Sequence, residues 1–145
     1  MSAEREPTTD PTVIPMLSYE DGAAAIEWLV RAFGFRERTE RRIVAGGRIT
    51  HAELEHGSGL IMLASPTPHY QGPRHHRETC EAADRWLQVP WVIDGVLVFV
   101  DDLDSHRERA EAADAVMLSP IEDTGFGRLY RVEDLEGHRW MFEER

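Results

Sequence analysis

The sequence predicts an α+β fold made of two βαβββ modules. One reason is the order of predicted elements, because a strand, a helix and three strands in the first half of the 145-residue chain recur in the second half. The other is a direct match between the halves. A shift of 80 positions superposes residues 47–49 (Gly-Arg-Ile) on residues 127–129 (Gly-Arg-Leu), and Glu53 on Glu133. A repeated unit of about 50 residues cannot bury its sheet alone, so we expect the modules to share one core.

The helix of the first module has clear start and stop signals. Asp21 offers an N-cap, apolar residues recur at helical spacing up to Phe33, and Gly34 is a natural stop. The strands of this module are marked by apolar or alternating residues between turn residues. They are predicted at residues 12–19, 35–44, 48–56 and 60–64.

The second module follows a linker at residues 65–94. The linker combines a Pro- and His-rich loop with a predicted short helix at residues 78–87. The module itself contains a predicted helix at residues 104–113 and four predicted strands. These strands are expected at residues 96–100, 116–121, 128–133 and 139–143.

These elements define one domain at residues 12–145. Its modules are expected at about residues 12–64 and 95–143. Residues 1–11 form an acidic tail containing proline and threonine, which is expected to be disordered.

Charge and composition exclude several classes of protein. The chain has 27 acidic and 16 basic residues, giving a net charge of −11, which argues against a nucleic-acid-binding surface. All the basic residues are arginine, which excludes a Walker A loop and Schiff-base chemistry on lysine. The single cysteine, Cys80, excludes an internal disulfide. Without a signal peptide or a long apolar run, we expect a soluble cytoplasmic protein with no membrane partner.

Three stretches of the sequence resemble the vicinal oxygen chelate superfamily, which includes glyoxalase I, bleomycin-resistance proteins and extradiol dioxygenases. They are AAIEWL with FGF at residues 24–35, ITHAEL at residues 49–54, and DLEGHRW at residues 134–140. The last resembles the family's turn before its final strand, with Leu135 where proline is usual. The resemblance covers about residues 12–143. It implies curved mixed sheets around a cup-shaped cavity, and a homodimer.

The resemblance also locates the positions of the family's divalent metal ligands, on the first and fourth strands of each module. They fall on Ile14, Gly95, Met141 and Met62 (or Ile61). None of these side chains is a credible ligand for a divalent metal. We therefore expect no metal cofactor at the family's usual site.

Strand alternation predicts what fills the cup instead. The apolar side chains expected to line it are Met16, Met62, Leu97, Phe99 and Met141. The side chains expected to orient a ligand are Trp91, Tyr130 and Arg139. Such a lining suits a small organic molecule.

The leading hypothesis for function is a small-molecule-binding protein of the antibiotic-sequestration type, with a metal-free apolar cavity. The alternative is a metal-dependent lyase, isomerase or dioxygenase with a relocated metal site. Its candidate catalytic residues are His51, Glu53 and Glu143, because imidazole and carboxylate groups are common metal ligands. A third hypothesis is a partner-binding module whose pocket is vestigial, which predicts a cavity too small for a drug-sized molecule.

Overall fold

Two mixed sheets form the framework of the protein, as seen in a computed structural model that describes residues 10–92 and 94–145. The strands of the first sheet are Met16–Ser18 (β1), Arg36–Glu37 (β2), Ile43–Ala45 (β3), Arg48–His56 (β4) and Gly59–Ala64 (β5). They are ordered β1-β5-β4-β2, and β3 pairs with β4. β1 and β5 are parallel, with Met16 opposite Met62.

The second sheet repeats this arrangement and confirms the predicted duplication. Its strands are Gly95–Val100 (β6), Val116–Met117 (β7), Glu122–Asp123 (β8), Arg128–Glu133 (β9) and Arg139–Glu144 (β10). They are ordered β6-β10-β9-β7, and β8 pairs with β9. The strand predicted at residues 116–121 is two short strands instead. Pro120 lies between them and has no N–H group to donate to a ladder.

One helix of each module covers the inner face of the sheets. Gly22–Phe33 (α1) begins and ends as predicted: the Asp21 side chain accepts a hydrogen bond from the Ala24 N–H, and Gly34 closes the helix with a φ of +81°. Leu103–Ala112 (α4) is capped by Asp102 in the same way. The two helices and the sheets enclose one shared core of buried side chains. Its largest fully buried members are Trp140, Tyr19, Tyr130, Phe33 and Phe142.

The linker folds into two short helices rather than one. They are Pro73–Thr79 (α2) and Glu81–Trp86 (α3), separated by Cys80 in an extended conformation with φ −140° and ψ 109°. None of the helices in the described part of the chain is long and apolar enough to cross a membrane.

The tail predicted at residues 1–11 lies mostly outside the described residues, which begin at residue 10. Asp10 itself lies against the first sheet, where its carboxylate accepts a 2.7 Å hydrogen bond from Arg38.

Side-chain hydrogen bonds join the two modules. The Trp28 Nε1–H of α1 donates to the Ala113 carbonyl at the end of α4, at 2.8 Å. On the other side of the core, the His138 Nε2–H donates to the Ser18 carbonyl at 2.6 Å. Because each bond links residues more than 80 positions apart, the modules are held as one unit.

Candidate functional site

Alternation along β10 separates a core face of the second sheet from an open face. Trp140 and Phe142 are buried beneath the helices, whereas Met141 is only partly covered on the opposite side. On β6, Leu97 remains 44% exposed on this same side. We call the side of β6, β9 and β10 that carries Leu97, Arg131 and Met141 the open face of the second sheet. Its alternation follows the prediction.

A cavity of about 210 Å³ lies on the open face. It is lined by Trp91, Leu97, Arg131, Arg139 and Met141, together with the backbone at the start of β6. We call it the Trp91 cavity, because the indole of Trp91 stands at its mouth and is 70% exposed. Four of the eight side chains predicted to line or orient a ligand therefore meet here.

Arg139 is a wall of this cavity rather than a free anchor. Its side chain is buried, and its guanidinium donates to the Leu87 and Val89 carbonyls at 2.6 Å each and to Glu133 Oε2 at 3.1 Å. A buried guanidinium must be paired in this way to offset the loss of its hydration. Arg139 thus pins the linker over one end of the sheet, which corrects its predicted role as an orienting group.

Arg131 is a residue of the cavity that sequence reasoning missed. Its guanidinium lies 5.9 Å from the centre of the Trp91 ring, within the range of a cation–π contact, and it also donates to Glu122 at 3.2 Å. Arg131 lies directly opposite Met141 in the β9–β10 ladder, so the two share a face. The register of β9 against β10 is the signal that identifies Arg131, because it pairs Arg131 with Met141, a predicted lining residue.

Tyr130 was expected to orient a ligand and instead belongs to the core. It lies opposite Phe142 in the ladder, so its ring points beneath α4 and is fully buried. Its hydroxyl donates to His106 Nδ1 at 2.6 Å. Burial raises the pKa of Tyr130 well above its usual value. Tyr130 therefore cannot contact a molecule on the open face.

The remaining predicted lining residues do not share the Trp91 cavity. Met16 is 79% exposed on β1 and lines a cavity of about 440 Å³ between β1 and the start of β6. Met62 lies beside it on β5 and is partly buried. Phe99 is 43% exposed farther along β6, beneath the guanidinium of Arg145. The predicted lining is therefore distributed along both sheets rather than around one pocket.

The three candidate catalytic residues are not assembled into one site. His51 Nε2 is 2.7 Å from Glu53 Oε2 on the first sheet. Glu143 lies on the second sheet, next to Gly127, where an added Cβ would be 2.9 Å from its Oε1 atom. Within residues 10–92 and 94–145, no group of three His, Cys, Asp or Glu side chains is arranged to hold a metal ion.

Glu53 is instead part of a charge network on the first sheet. Arg38 donates to Glu53 Oε1 at 3.2 Å, while His51 contacts the other carboxylate oxygen. Burial alone would raise the pKa of Glu53, but the hydrogen bonds from His51 and Arg38 outweigh it and lower the pKa below its usual value. Both oxygens of this carboxylate are therefore engaged by cationic or hydrogen-bonding side chains.

Comparisons with known proteins match nearly the whole chain. A sequence model of the Glyoxalase/Bleomycin resistance protein/Dioxygenase superfamily matches residues 13–142. Mb0911c, an uncharacterized protein of Mycobacterium bovis, is 30% identical over 134 residues, which cover 90% of this chain and 81% of that protein.

Solved structures show the same fold. TioX from Micromonospora sp. ML1 is 35% identical with a TM-score of 0.66, over 93% of this chain and 96% of TioX. A bleomycin-binding protein from bleomycin-producing Streptomyces verticillus, solved with copper(II)-bleomycin, is 18% identical with a TM-score of 0.58, over 92% of this chain and 94% of that one. Because the bleomycin-binding protein is only 18% identical, its likeness to this chain shows the fold alone.

Proposed function

Because the chain belongs to the Glyoxalase/Bleomycin resistance protein/Dioxygenase superfamily, we propose that it binds a small organic molecule in an apolar cavity and releases it chemically unchanged, as an antibiotic-sequestering protein would. The proposed site is the open face of the second sheet around the Trp91 cavity. The observation that carries the proposal is the exposed indole of Trp91, held beside Leu97 and Met141. Large aromatic rings at the mouth of an apolar cavity mark binding sites more often than bare surface.

Arg131 supports this assignment because it restrains the Trp91 ring. Its cation–π contact with the indole and its ion pair with Glu122 hold both side chains in one arrangement. A restrained ring loses less conformational entropy when a flat ligand stacks on it. A planar organic molecule is therefore the class of ligand that suits this site.

A second copy of the chain is part of the proposal, because one copy encloses too little space. The Trp91 cavity measures about 210 Å³, whereas pockets for small molecules usually measure ~300–1,000 Å³. Met16 adds further exposed apolar area on β1. We propose that a homodimer covers this area and enlarges the cavity.

Binding is proposed to need no metal ion. The family's ligand positions carry Ile14, Met62, Gly95 and Met141, whose side chains offer no nitrogen or oxygen donor. The structural neighbour from Streptomyces verticillus, which was solved with copper(II)-bleomycin, supports binding of an organic molecule within this fold. Its metal belongs to the drug named in that structure.

The test uses calorimetric titration with bleomycin, with and without copper, and with the uncharged aromatic probe N-phenyl-1-naphthylamine. We expect saturable binding of at least the aromatic probe, weakened about tenfold or more by Trp91→Ala. The matched control is Trp86→Ala, since Trp86 is also an exposed tryptophan but lines neither of the two cavities described above. Mass spectrometry of the recovered compounds is expected to show unchanged masses.

Two results would overturn the proposal. One is binding that Trp91→Ala leaves unchanged, because the ligand would then lie elsewhere. The other is turnover of a bound compound into a product of different mass, which would place the protein among the enzymes of the superfamily.

A further inference from the structure

A larger cavity than the Trp91 cavity lies between the two modules and adjoins it along β6, where Val96 and Leu97 line both. It measures about 780 Å³ and opens between the β4–β5 turn and the end of β6. We call it the seam cavity; its lining includes His56, Leu60, Phe99, His106, Arg109 and Arg145. We propose that the seam cavity is a second binding site, and that it takes a small organic acid with a flat apolar body.

Arg109 supplies an oriented positive charge at the exposed rim of the seam cavity. Its Nε–H donates to the Arg31 carbonyl at 2.7 Å and its Nη2 to the Val30 carbonyl at 3.0 Å, both at the end of α1. The third nitrogen, Nη1, lies over Gly34, where a Cβ would be only 3.1 Å away. Two backbone carbonyls thus orient the guanidinium and leave one edge free to bind an anion.

Arg145 adds a second positive charge to the same cavity. Its guanidinium stacks 4.8 Å from the centre of the Phe99 ring, and its backbone N–H donates to the Val100 carbonyl at 3.0 Å. In the described part of the chain neither Arg109 nor Arg145 forms a salt bridge, although most of the described arginines do. In a chain with 27 acidic and 16 basic residues, two unpaired guanidinium groups in one cavity favour an anionic ligand.

His56 adds a polar group to the same cavity. Its imidazole lines the seam cavity and packs edge-on against Phe35 at 5.3 Å. Burial and then the positive charge of Arg109 lower its pKa, against an opposing effect of Asp101, so the ring is neutral at pH 7. A neutral imidazole can donate one hydrogen bond to the acid group.

The two acidic residues of the lining, Asp101 and Asp102, form no salt bridge with these cations in the described structure. Asp102 is committed to capping α4, where its carboxylate accepts hydrogen bonds from the Ser105 N–H and hydroxyl at 3.1 and 2.9 Å. Asp101 is exposed, as Arg109 and Arg145 are, so water screens all three charges to a similar degree. His106 is engaged on both ring nitrogens, by Tyr130 and by the Phe33 carbonyl. Arg109, Arg145 and His56 therefore remain for the ligand.

The apolar wall of the seam cavity defines the rest of the ligand. Val13 and Phe99 come from different segments and offer exposed hydrocarbon surface, with the buried Leu60 behind them. The exposed fraction of Val13 is 81%, so apolar area is open at this site. A flat hydrocarbon or aromatic body would cover it, and an acid group would reach the guanidinium groups. Its acid group distinguishes this ligand from the planar molecule proposed for the Trp91 cavity.

The test compares two fluorescent probes that share one ring system. 8-Anilino-1-naphthalenesulfonate carries a sulfonate, and N-phenyl-1-naphthylamine lacks it. We expect the sulfonate to bind the full chain saturably, and Arg109→Gln and Arg145→Gln each to weaken it about tenfold. Binding of the uncharged probe should change little in either variant. Arg85→Gln is the matched control, because Arg85 is exposed, forms no salt bridge in the described structure and lines none of the three cavities.

The variants separate this site from the Trp91 cavity. Trp91→Ala should leave sulfonate binding unchanged while it weakens binding of the uncharged probe. Arg145→Gln keeps the test valid if Arg109→Gln destabilises the end of α1, since the Arg145 side chain caps no helix. The proposal is overturned if the sulfonate fails to bind, if both Arg→Gln variants bind it normally, or if Trp91→Ala alone abolishes its binding.

Discussion

The Tyr19 hydroxyl donates a 2.6 Å hydrogen bond to Asp134 Oδ2, and both side chains are completely buried. Tyr19 follows β1 of the first module, whereas Asp134 begins the turn before the last strand of the second. The same carboxylate oxygen accepts from Trp140 Nε1 at 3.0 Å. Asp134 Oδ1 accepts from the backbone N–H groups of Glu136 and His138, at 3.0 Å each. One carboxylate thus shapes the turn and ties the modules together.

Replacement of Asp134 by asparagine should destabilise the protein strongly. The amide has one oxygen in place of two, so at least one of the four donors around it loses its acceptor, and its own N–H₂ group would face a donor. We expect a loss of about 3 kcal/mol in the free energy of unfolding, measured by urea denaturation.

Asp84→Asn is the control for this prediction. Asp84 lies on α3, is exposed, and makes no side-chain hydrogen bond among the described residues. Its replacement should change stability by less than about 0.5 kcal/mol. Equal effects of the two substitutions would show that Asp134 does not hold the modules together.

The buried histidine between the modules predicts a dependence of stability on pH. The His106 Nε2–H donates to the Phe33 carbonyl at 2.9 Å, and Nδ1 accepts from the Tyr130 hydroxyl, so the ring is neutral. Burial lowers its pKa to about 4, with smaller contributions from His56 and Arg109. Because the unfolded chain binds this proton near pH ~6.5, stability is fully present above that pH and is lost as pH falls toward 4.

The measurement is the free energy of unfolding between pH 7 and pH 4 for the wild type and for His106→Asn. We expect the decline over this range to be smaller in the variant, because the buried ring is gone. His69→Gln is the control, since His69 is exposed in the linker and its replacement should leave the decline unchanged. Parallel curves for wild type and His106→Asn would contradict the prediction.

Strand alternation in the sequence identified the core face of the second sheet correctly. One core residue, Tyr130, was wrongly assigned to the ligand site. Alternation along β10 separates Trp140 and Phe142 from Met141, and the structure confirms this division. Tyr130 was misassigned because its direction depends on the register of β9 against β10. A single strand's pattern does not contain that register, which is set by the pairing of two strands.

The role of Arg139 could not be predicted for a different reason. Its acceptors include the Leu87 and Val89 carbonyls, which lie about 50 positions earlier in the linker. Backbone carbonyls are present in every residue, so no feature of the sequence marks these two as acceptors. The seam cavity could not be predicted from the sequence either, because Arg109 and His56 come together only when the two modules pack.

Metal uptake should be far below one equivalent per chain. His51 is hydrogen-bonded to one carboxylate oxygen of Glu53, and the Arg38 guanidinium donates to the other. A divalent ion would therefore have to displace the Arg38 guanidinium from Glu53. The protein would be incubated separately with manganese, iron, nickel and zinc, then exchanged exhaustively before elemental analysis. Retention near one equivalent that disappears in His51→Ala would restore the metal-dependent enzyme as the leading hypothesis.

The oligomeric state tests the proposal that a second copy completes the cavity. We expect sedimentation equilibrium at micromolar concentration to give twice the chain mass of 16.6 kDa. Met16→Asp should shift the protein toward the monomer, because Met16 is 79% exposed on β1 and its burial against a partner would be replaced by burial of a charge. The same exposure means that the substitution should leave the monomer folded. Phe126→Asp is the control, since Phe126 is 96% exposed at the β8–β9 turn and lines none of the three cavities. A wild-type protein that is monomeric at these concentrations would leave the Trp91 cavity open on one side, and the ligand would have to be smaller than a drug-sized molecule.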